Sequence, residues 1–240
     1  MRLEKKESSK TLGATKGRLM GSSWVGVKVF ANDEVALIPP SFDEKSEKLV
    51  KESLGVPVVR LELLSTELHG VMISGNNNGV LLPYHVDPDD IVRLRKLGLN
   101  AEIFASKYTA LGNLILANSR HALVYRGLSQ AETRQVSDVL GVEVEPLAFP
   151  FGVTVGSLSV VTEKGILLPP SGEALLAEIE RKFGVRGELT TVNMGFDYLR
   201  LGIVANSKGA LVGDLTTGTE FSNIERGLFW DMISLPRPQA

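Results

Sequence analysis

One pattern about 44 residues long occurs five times along the chain. In each copy a short apolar run ends at a polar residue that starts a turn, and these polar residues are spaced by 44, 42, 44 and 44 positions. They are Asn32, Asn76, Asn118, Thr162 and Asn206. A unit of this size cannot bury its apolar side chains alone, so neighbouring units must pack together. The repeat therefore excludes independent domains and predicts one continuous array.

Each copy has the pattern of a β-hairpin followed by a helix. Two apolar runs flank the polar residue, and an Asn side chain favours a turn because it bonds its own backbone. Gly79, Gly165 and Gly209 lie three positions after it, where we expect a positive φ. Val35 and His121 take that position in copies one and three, which predicts different turns there. The first apolar runs open at Gly26, Gly70, Gly112 and Gly156, and at Arg200 in the fifth copy.

Helix-start and helix-stop residues follow each hairpin. Capping boxes are predicted at Ser41, Ser129 and Thr217, an N-cap at Asp87 before Pro88, and a weaker cap at Ser171. Helix stops are predicted at Gly55, Gly98, Gly141 and Gly184. A third strand is predicted after each of these glycines, at 56–61, 99–104, 142–147 and 185–190. The fifth helix, near Gly227, is expected to end differently.

The repeats set the domain boundaries. Residues 1–20 carry six Lys or Arg and two Glu with few apolar side chains, which predicts a disordered basic extension. Alternatives for it are an upstream start before Met20 or a nucleic-acid-binding arm. Residues 21–230 are predicted to form one domain and residues 231–240 a C-terminal tail. A closed α/β ring is favoured over an open solenoid, because an open array would expose sheet edges and neither end has a polar capping repeat.

Composition limits the chemistry. The 240 residues include 26 Lys or Arg, 28 Asp or Glu and no cysteine, giving a net charge of −2. Without cysteine, disulfides, thiolate metal sites and cysteine nucleophiles are excluded, and a reducing, cytoplasmic compartment fits. We find no apolar run suited to a spanning helix and no secretory signal, so no membrane association is expected.

No group of reactive residues indicates an enzyme. His69, His85 and His121 lie in different repeats without metal-ligand spacing, and structural or exposed roles are expected for them. Residues 75–79 resemble an anion-binding loop, but they lie between two strands, which favours a turn. The acids at 87, 89 and 90 resemble a metal cluster, but they flank a proline at a helix start, where acids favour the helix dipole. We predict no catalytic residue, no metal and no cofactor.

A five-fold ring of hairpins and helices resembles the pentein fold, a five-fold pseudo-symmetric closed α/β propeller. Pentein enzymes attack a guanidinium carbon with a cysteine thiolate, which this chain lacks. Residues 24–229 instead resemble the translation initiation factor 6 family in its short archaeal form. The segments that carry this resemblance are 30–40, 75–83, 111–118, 161–165, 191–195, 204–213 and 216–220. Arg200, in place of a strand-opening glycine, and the long N-terminal extension depart from the family pattern.

The resemblance implies a binding protein. It implies docking on the large ribosomal subunit, near the sarcin–ricin loop and adjoining ribosomal proteins, so that the small subunit is sterically excluded. Such a factor acts in translation initiation and in maturation of the large subunit. Asn113 matches a family position on the ribosome-facing side, and Asn193 matches a second motif expected nearby. The alternative for both is that they satisfy backbone groups at strand ends.

Other functions remain open from the sequence. One is a pentein-type enzyme that acts on guanidino substrates with a non-cysteine nucleophile, and another is a generic repeat scaffold for protein binding. Outside residues 1–20 the net charge is −6, so docking is expected to depend on a basic ribosomal-protein surface, with few rRNA contacts. A monomer is expected because a closed ring pairs its own sheet edges.

Overall fold

The five repeats form five separate three-stranded sheets. The computed structural model describes residues 11–63, 65–147 and 155–232. Its strands are β1 (Gly13–Gly17), β2 (Phe30–Ala31), β3 (Ala36–Ile38), β4 (Val58–Arg60), β5 (Ser74–Gly75), β6 (Val80–Pro83), β7 (Ala101–Phe104), β8 (Ile115–Ala117), β9 (His121–Tyr125), β10 (Glu143–Leu147), β11 (Val160–Val161), β12 (Gly165–Leu168), β13 (Arg186–Leu189), β14 (Ile203–Ala205) and β15 (Gly209–Gly213).

Helices of two kinds accompany the sheets. The one-turn helices are α1 (Val25–Lys28), α3 (His69–Met72), α5 (Leu111–Leu114), α7 (Val155–Leu158) and α9 (Leu199–Gly202). The longer helices are α2 (Glu44–Leu54), α4 (Pro88–Lys96), α6 (Gln130–Leu140), α8 (Leu176–Phe183) and α10 (Gly218–Leu228). Two 3₁₀ turns, Pro170–Leu175 and Trp230–Met232, adjoin α8 and α10.

All five sheets share one strand arrangement. The first two strands of a repeat form an antiparallel hairpin, and the third lies parallel to the second. In the first repeat, Phe30 pairs with Leu37 across the hairpin, and Ala36 pairs with Val58 of the parallel strand. The sheets β5–β6–β7, β8–β9–β10 and β11–β12–β13 repeat this arrangement. The hairpins and third strands predicted from the repeat pattern are confirmed.

The fifth sheet is completed by the N-terminal segment. β14 and β15 form its hairpin, and β1 lies parallel to β15, with Gly13 opposite Gly209 and Gly17 opposite Gly213. The prediction of a disordered extension over residues 1–20, with the domain starting at 21, is therefore wrong for residues 13–17. Without β1, β15 would expose an unpaired edge. Residues 1–10 and 233–240 lie outside the described residues.

The direction of the strands gives the ring two different faces. The turn face carries the hairpin turns at 32–35, 76–79, 118–121, 162–165 and 206–209, together with the carboxyl ends of the long helices. The amide of Asn76, in one such turn, donates to the carbonyl of Leu140 at the end of α6, which fixes this placement. The strand-end face carries the carboxyl ends of the second and third strands and the amino ends of the helices.

The polar residue of each hairpin closes its own turn. Asn32 Oδ1 accepts hydrogen bonds from the backbone N–H groups of Glu34 and Val35. Asn76, Asn118 and Asn206 accept equivalent bonds in their repeats, and Thr162 accepts them through its hydroxyl. The backbone donors of the turns therefore have side-chain partners, as buried donors require.

The amide of the same side chain joins neighbouring repeats. Asn32 Nδ2 donates to the carbonyl of Asn76, Asn76 donates to Asn118, and Asn118 donates to Thr162. Asn206 donates to the carbonyl of Asn32 at 3.0 Å, so the last repeat is bonded to the first and the ring is closed. Threonine has no amide to continue the series from repeat four. There the backbone N–H of residue 163 donates to the hydroxyl of residue 207 at 3.2 Å.

The turn glycines serve close packing instead of the predicted positive φ. Gly79, Gly165 and Gly209 do not have left-handed φ values. A Cβ at Gly79 would lie 2.2 Å from the carbonyl oxygen of Val139, and one at Gly165 would lie 1.8 Å from that of Gly227. The missing side chain therefore lets the next repeat's helix approach the turn.

Helix stops follow the prediction more closely than helix starts. Gly55, Gly141 and Gly184 end their helices with φ between 62° and 64°, and Gly98 has φ 89° one position after its helix cap. N-caps are confirmed at Asp87, Ser129 and Thr217. The cap of α2 is Asp43 instead of Ser41, because α2 begins at Glu44. Ser171 caps no α-helix, because it lies in the 3₁₀ turn before α8.

The start of each predicted first strand is a single helical turn. Each of these turns packs against the next around the axis of the ring, which we call the hub, and their glycines contact the backbone of the neighbouring repeat. A Cβ at Gly70 would lie 1.8 Å from the carbonyl oxygen of Gly26, and one at Gly26 would lie 1.8 Å from that of Arg200. The expected strand openings at these glycines are therefore corrected to one-turn helices, which such close backbone contact favours.

Arg200 occupies the glycine position in the fifth one-turn helix. Its guanidinium Nε lies 3.2 Å from the carbonyl oxygen of Gly70, and its Nη2 lies 3.4 Å from that of Ile73. Burial lowers its pKa to about 10, so it stays charged at neutral pH. The side chain thus links repeats five and two.

We predict that Asn206→Ala destabilises the ring. It removes two donated and two accepted hydrogen bonds, to groups in repeats five and one, and leaves buried partners unsatisfied. The free energy of unfolding should fall by about 2–4 kcal/mol in denaturant titrations. Asn223→Ala, which removes one 3.5 Å bond to a carbonyl and one from Arg226, is the control. Equal stability of the two variants would contradict the closing role of Asn206.

We also predict that two N-terminal truncations behave differently. Removing residues 1–10 leaves β1 intact and should preserve the thermal midpoint. Removing residues 1–17 strips the third strand from the fifth sheet and should lower the free energy of unfolding by roughly 3–5 kcal/mol, through lost ladder bonds. Calorimetry of both truncations measures the difference, and identical midpoints would show that β1 does not contribute.

Candidate functional site

Asn113 lies at the mouth of the hub on the strand-end face. It belongs to α5, and its side chain is partly exposed. Its Oδ1 is buried and has no hydrogen-bond partner within the described ranges. The corresponding positions of the other repeats hold Val27, Val71, Ser157 and Leu201. Asn113 therefore places an amide with unused bonding capacity among mostly apolar positions.

Asn193 lies on the same face, but its amide is used by the fold. The residue is buried, with φ 50°. Its Nδ2 donates to the carbonyl of Ser23 at 3.0 Å, and its Oδ1 accepts from the hydroxyl of Thr216 at 3.3 Å. The first bond joins the loop before α9 to the loop before α1, and the second joins it to the loop before α10. The structure thus places Asn113 in repeat three and Asn193 at the contact between repeats five and one.

Two similar loops each present a methionine on the strand-end face. The loops 19–22 and 192–196 are each closed by a pair of backbone hydrogen bonds between their end residues. Between these ends Met20 has φ 51° and Met194 has φ 68°, values that are uncommon for residues other than glycine. Met194 is 71% exposed and Met20 is 38% exposed. Strained backbone that displays an apolar side chain is typical of functional surfaces.

An aromatic group continues the apolar surface from these loops. The rings of Trp24 and Phe196 lie 4.7 Å apart edge to face, and those of Phe196 and Tyr198 lie 5.4 Å apart. Leu68, at the position that corresponds to Trp24 in the second repeat, is 42% exposed. We call this surface the apolar collar, and its members are Met20, Trp24, Leu68, Met194, Phe196 and Tyr198. Exposed apolar patches rich in Met and aromatic residues mark interaction sites.

Glu220 holds the Met194 loop in place. Burial by itself would raise the pKa of this carboxyl, but hydrogen bonds from the Thr191 hydroxyl and from the N–H groups of Thr217 and Gly195 outweigh it and hold the pKa at about 2. The carboxylate also accepts from the N–H of Met194 at 3.2 Å. The loop is therefore fixed before any partner arrives.

Acidic side chains dominate the helix starts of the strand-end face. The first turns of four long helices carry Glu44, Glu47, Asp89, Asp90, Glu132 and Glu220. Two basic side chains nearby are paired with acids, Lys28 with Glu67 and Arg18 with Asp214. A basic partner surface would therefore be electrostatically complementary to this face.

The described residues show no arrangement typical of catalysis. His69 is buried and its Nε2 lies 2.8 Å from a backbone carbonyl, while His85 stacks on Tyr84. Burial lowers the pKa of both His69 and His121. No cluster of three or more potential metal-ligating side chains occurs within 11–63, 65–147 and 155–232. In the same ranges, every helix is too short or too polar to span a lipid bilayer.

The sequence motifs pointed to Asn113 and Asn193 but not to the collar. The sequence does not predict that the collar methionines Met20 and Met194 are exposed, because their exposure depends on the conformation of the folded loops. A signal was present: the Met–Gly pairs at 20 and 194 are separated by the same 174 positions as Asn32 and Asn206. That spacing marks corresponding places in repeats one and five.

Comparison with known proteins identifies similar chains. A family model described as the eIF-6 family matches residues 14–227. Proteins named translation initiation factor 6 are similar over most of this chain. That of Pyrobaculum arsenaticum is 41% identical over 212 residues, which cover 88% of this chain and 96% of the relative. Those of Staphylothermus marinus and Pyrococcus horikoshii are 37% and 39% identical, covering 88% and 86% of this chain and 95% and 94% of the relatives.

A solved structure, the agmatine deiminase of C. jejuni, has a TM-score of 0.40 and 13% identity over 64% of this chain and 59% of its own. This likeness is too weak to support an argument about fold or activity.

The Glu220 carboxyl predicts an acid-dependent loss of stability. Because its folded pKa of about 2 lies below the ordinary 4.5, its stabilisation is complete above pH 4.5 and is lost as the pH falls towards 2. Glu220→Gln should lower the free energy of unfolding by about 2–3 kcal/mol at neutral pH, and this deficit should shrink between pH 4.5 and 2. Denaturant unfolding of both proteins across this range measures the deficit. A deficit that is independent of pH would show that the charge of Glu220 does not stabilise the fold.

Proposed function

Because the chain belongs to the eIF-6 family, we propose that it binds the large ribosomal subunit and thereby prevents the small subunit from joining it. The relatives are named translation initiation factors, and a role in translation initiation follows from the family. Maturation of the large subunit, where premature joining must also be blocked, is the second setting we propose. Both settings are cytoplasmic.

The apolar collar is the observation that carries the docking proposal. It lies on the strand-end face, together with Asn113, and four of its side chains are between 37% and 71% exposed. Met, Trp and Tyr side chains at the centre of an interface contribute most of the binding free energy when water is excluded around them. Docking through this face would bury the collar and cover the exposed part of the Asn113 side chain.

The charge of this face favours a protein partner over bare rRNA. Its helix starts are acidic, and phosphate binding requires several unpaired Lys or Arg side chains. We therefore propose that a basic ribosomal-protein surface near the sarcin–ricin loop supplies most of the contact. Few rRNA phosphates then contribute.

The proposed mechanism is steric and makes or breaks no covalent bond. Closure by Asn206 and Arg200 gives a ring that docks as one body, with no catalytic step and no cofactor. In this mechanism Asn113 contacts the ribosome directly. Asn193 acts as a positioning residue, because it ties the Met194 loop to the loop before Trp24. A monomer suffices, since each sheet is completed within one chain.

Co-sedimentation in sucrose gradients tests the proposed function. The protein should migrate with large subunits and not with small ones, and an excess of it should reduce the joined particle when both subunits are mixed. Migration with both subunits, or an undiminished joined particle, would reject the anti-association function.

Variants of the strand-end face locate the docking surface. Asn113→Arg and Met194→Glu place charge at the hub mouth and on the collar, and each should weaken large-subunit binding about tenfold or more with little change in the thermal midpoint. Val92→Glu is the matched control, because Val92 is 46% exposed on α4, outside the collar. Asn193→Ala should weaken binding and also lower the midpoint. Wild-type binding by both Asn113→Arg and Met194→Glu would exclude this face.

A further inference from the structure

A cleft of about 790 Å³ opens on the turn face, opposite Asn113. Its walls come from the hairpin turns of repeats three and four, from α8 with the residues after it, and from the 3₁₀ turn that follows α10. The basic and aromatic side chains that line it are Arg120, Lys164, Arg181, Arg186 and Trp230. The proposed ribosome docking uses none of these residues.

Trp230 is held as a flat apolar platform in this cleft. Its indole Nε1 donates to the backbone carbonyl of Lys164 at 3.1 Å, which fixes the orientation of the ring. The guanidinium carbon of Arg186 lies 4.9 Å from the ring centroid, in cation–π contact. The side chain is nevertheless 40% exposed. An indole that is fixed by a hydrogen bond and still exposed is suited to stacking against another planar ring.

Basic side chains outnumber carboxylates in the lining of the cleft by four to three. Arg181 and Arg186 are exposed and form no ion pair within the described part of the chain. The carboxylates that line the cleft already have partners. Glu163 and Glu180 accept backbone N–H bonds at 2.8 and 2.6 Å, and Asp231 pairs with Lys164 at 3.0 Å.

The basic N-terminal residues join the chain beside this cleft. Lys164 Nζ donates to the hydroxyl of Thr11 at 2.8 Å, so Thr11 lies at the rim of the cleft. The ten residues before it in sequence include Arg2, Lys5, Lys6 and Lys10. In sequence, these ten residues carry four cationic and two acidic side chains, a net charge of +2 in a chain whose total is −2.

We propose that this cleft binds single-stranded RNA, with a base stacked on Trp230 and phosphates bound by Arg181 and Arg186. Stacking on an aromatic ring combined with unpaired Arg side chains is the general mode of single-strand binding. An acidic peptide would use the arginines but not the exposed indole, which is why RNA is favoured. Because the cleft and the collar lie on opposite faces, RNA and a ribosomal surface can be held together. The proposal does not rest on the ribosome-docking function.

Tryptophan fluorescence tests the stacking. In the full chain with Trp24→Phe, Trp230 is the remaining tryptophan and reports on the cleft alone. Titration with single-stranded oligoadenylate of about ten nucleotides should quench its emission to saturation. Duplex RNA and oligoglutamate should quench weakly. Absence of quenching by oligoadenylate would overturn the proposal, and so would equally strong quenching by duplex RNA or by oligoglutamate.

Anisotropy of labelled oligoadenylate tests the phosphate contacts. Arg181→Ala with Arg186→Ala should weaken binding about tenfold or more, and should reduce the slope of log affinity against log salt by about 1.4, because each single-strand phosphate contact contributes about 0.7. Arg134→Ala with Lys48→Ala removes two exposed charges elsewhere and should leave both quantities unchanged. Trp230→Ala should weaken binding without changing the slope. Equal losses of affinity in the cleft variant and the control variant would show that only net charge matters, and would overturn the proposed RNA site.

Discussion

Five repeats become one ring because a single side chain per repeat satisfies two sets of backbone groups. The amide oxygen of Asn32 accepts the N–H groups of its own turn, while its amide nitrogen donates to the next repeat. In repeats two, three and five this nitrogen also reaches the last carbonyls of a neighbouring helix. Those carbonyls have no partner inside their own helices. These bonds require a helix end to lie close to the neighbouring turn. The glycines that stop the helices and the glycines of the turns permit this close approach.

The sequence predicts the features that local patterns encode and misses those that contacts between distant segments decide. The recurring polar residues and helix-stop glycines predict the hairpins, most helix ends and the closed ring. β1 was not predicted, because Gly13–Gly17 has no apolar alternation and its partner strand is almost a full chain length away. The sequence pattern predicts strand at Gly26, where the structure has a one-turn helix whose glycine contacts the backbone of Arg200. Tertiary contacts decide both cases, and no local pattern carries them.

The sequence also predicts only part of the candidate site, namely the positions of two asparagines and not their surroundings. The family motifs select Asn113 and Asn193, and both lie on the strand-end face. Motifs alone do not distinguish an asparagine whose oxygen is unbonded from one whose amide is bonded to Ser23 and Thr216. The exposure of Met194 depends on a left-handed backbone conformation that Glu220 stabilises from another element. The sequence thus gives candidate positions, and the folded geometry shows which of the two side chains is already bonded within the fold.

The pairing of β1 with β15 has a consequence for biosynthesis. β1 leaves the ribosome before β2–β15, yet its partner strand is synthesised only after four complete repeats. During translation the nascent chain therefore carries an early strand that waits without its sheet, and the toroid assembles late. Contacts between residues this distant in sequence form slowly, because a long loop must close first. A nascent chain interrupted before residue 209 would lack β15, the partner of β1. The native fold can therefore form only after residues 209–213 have been synthesised.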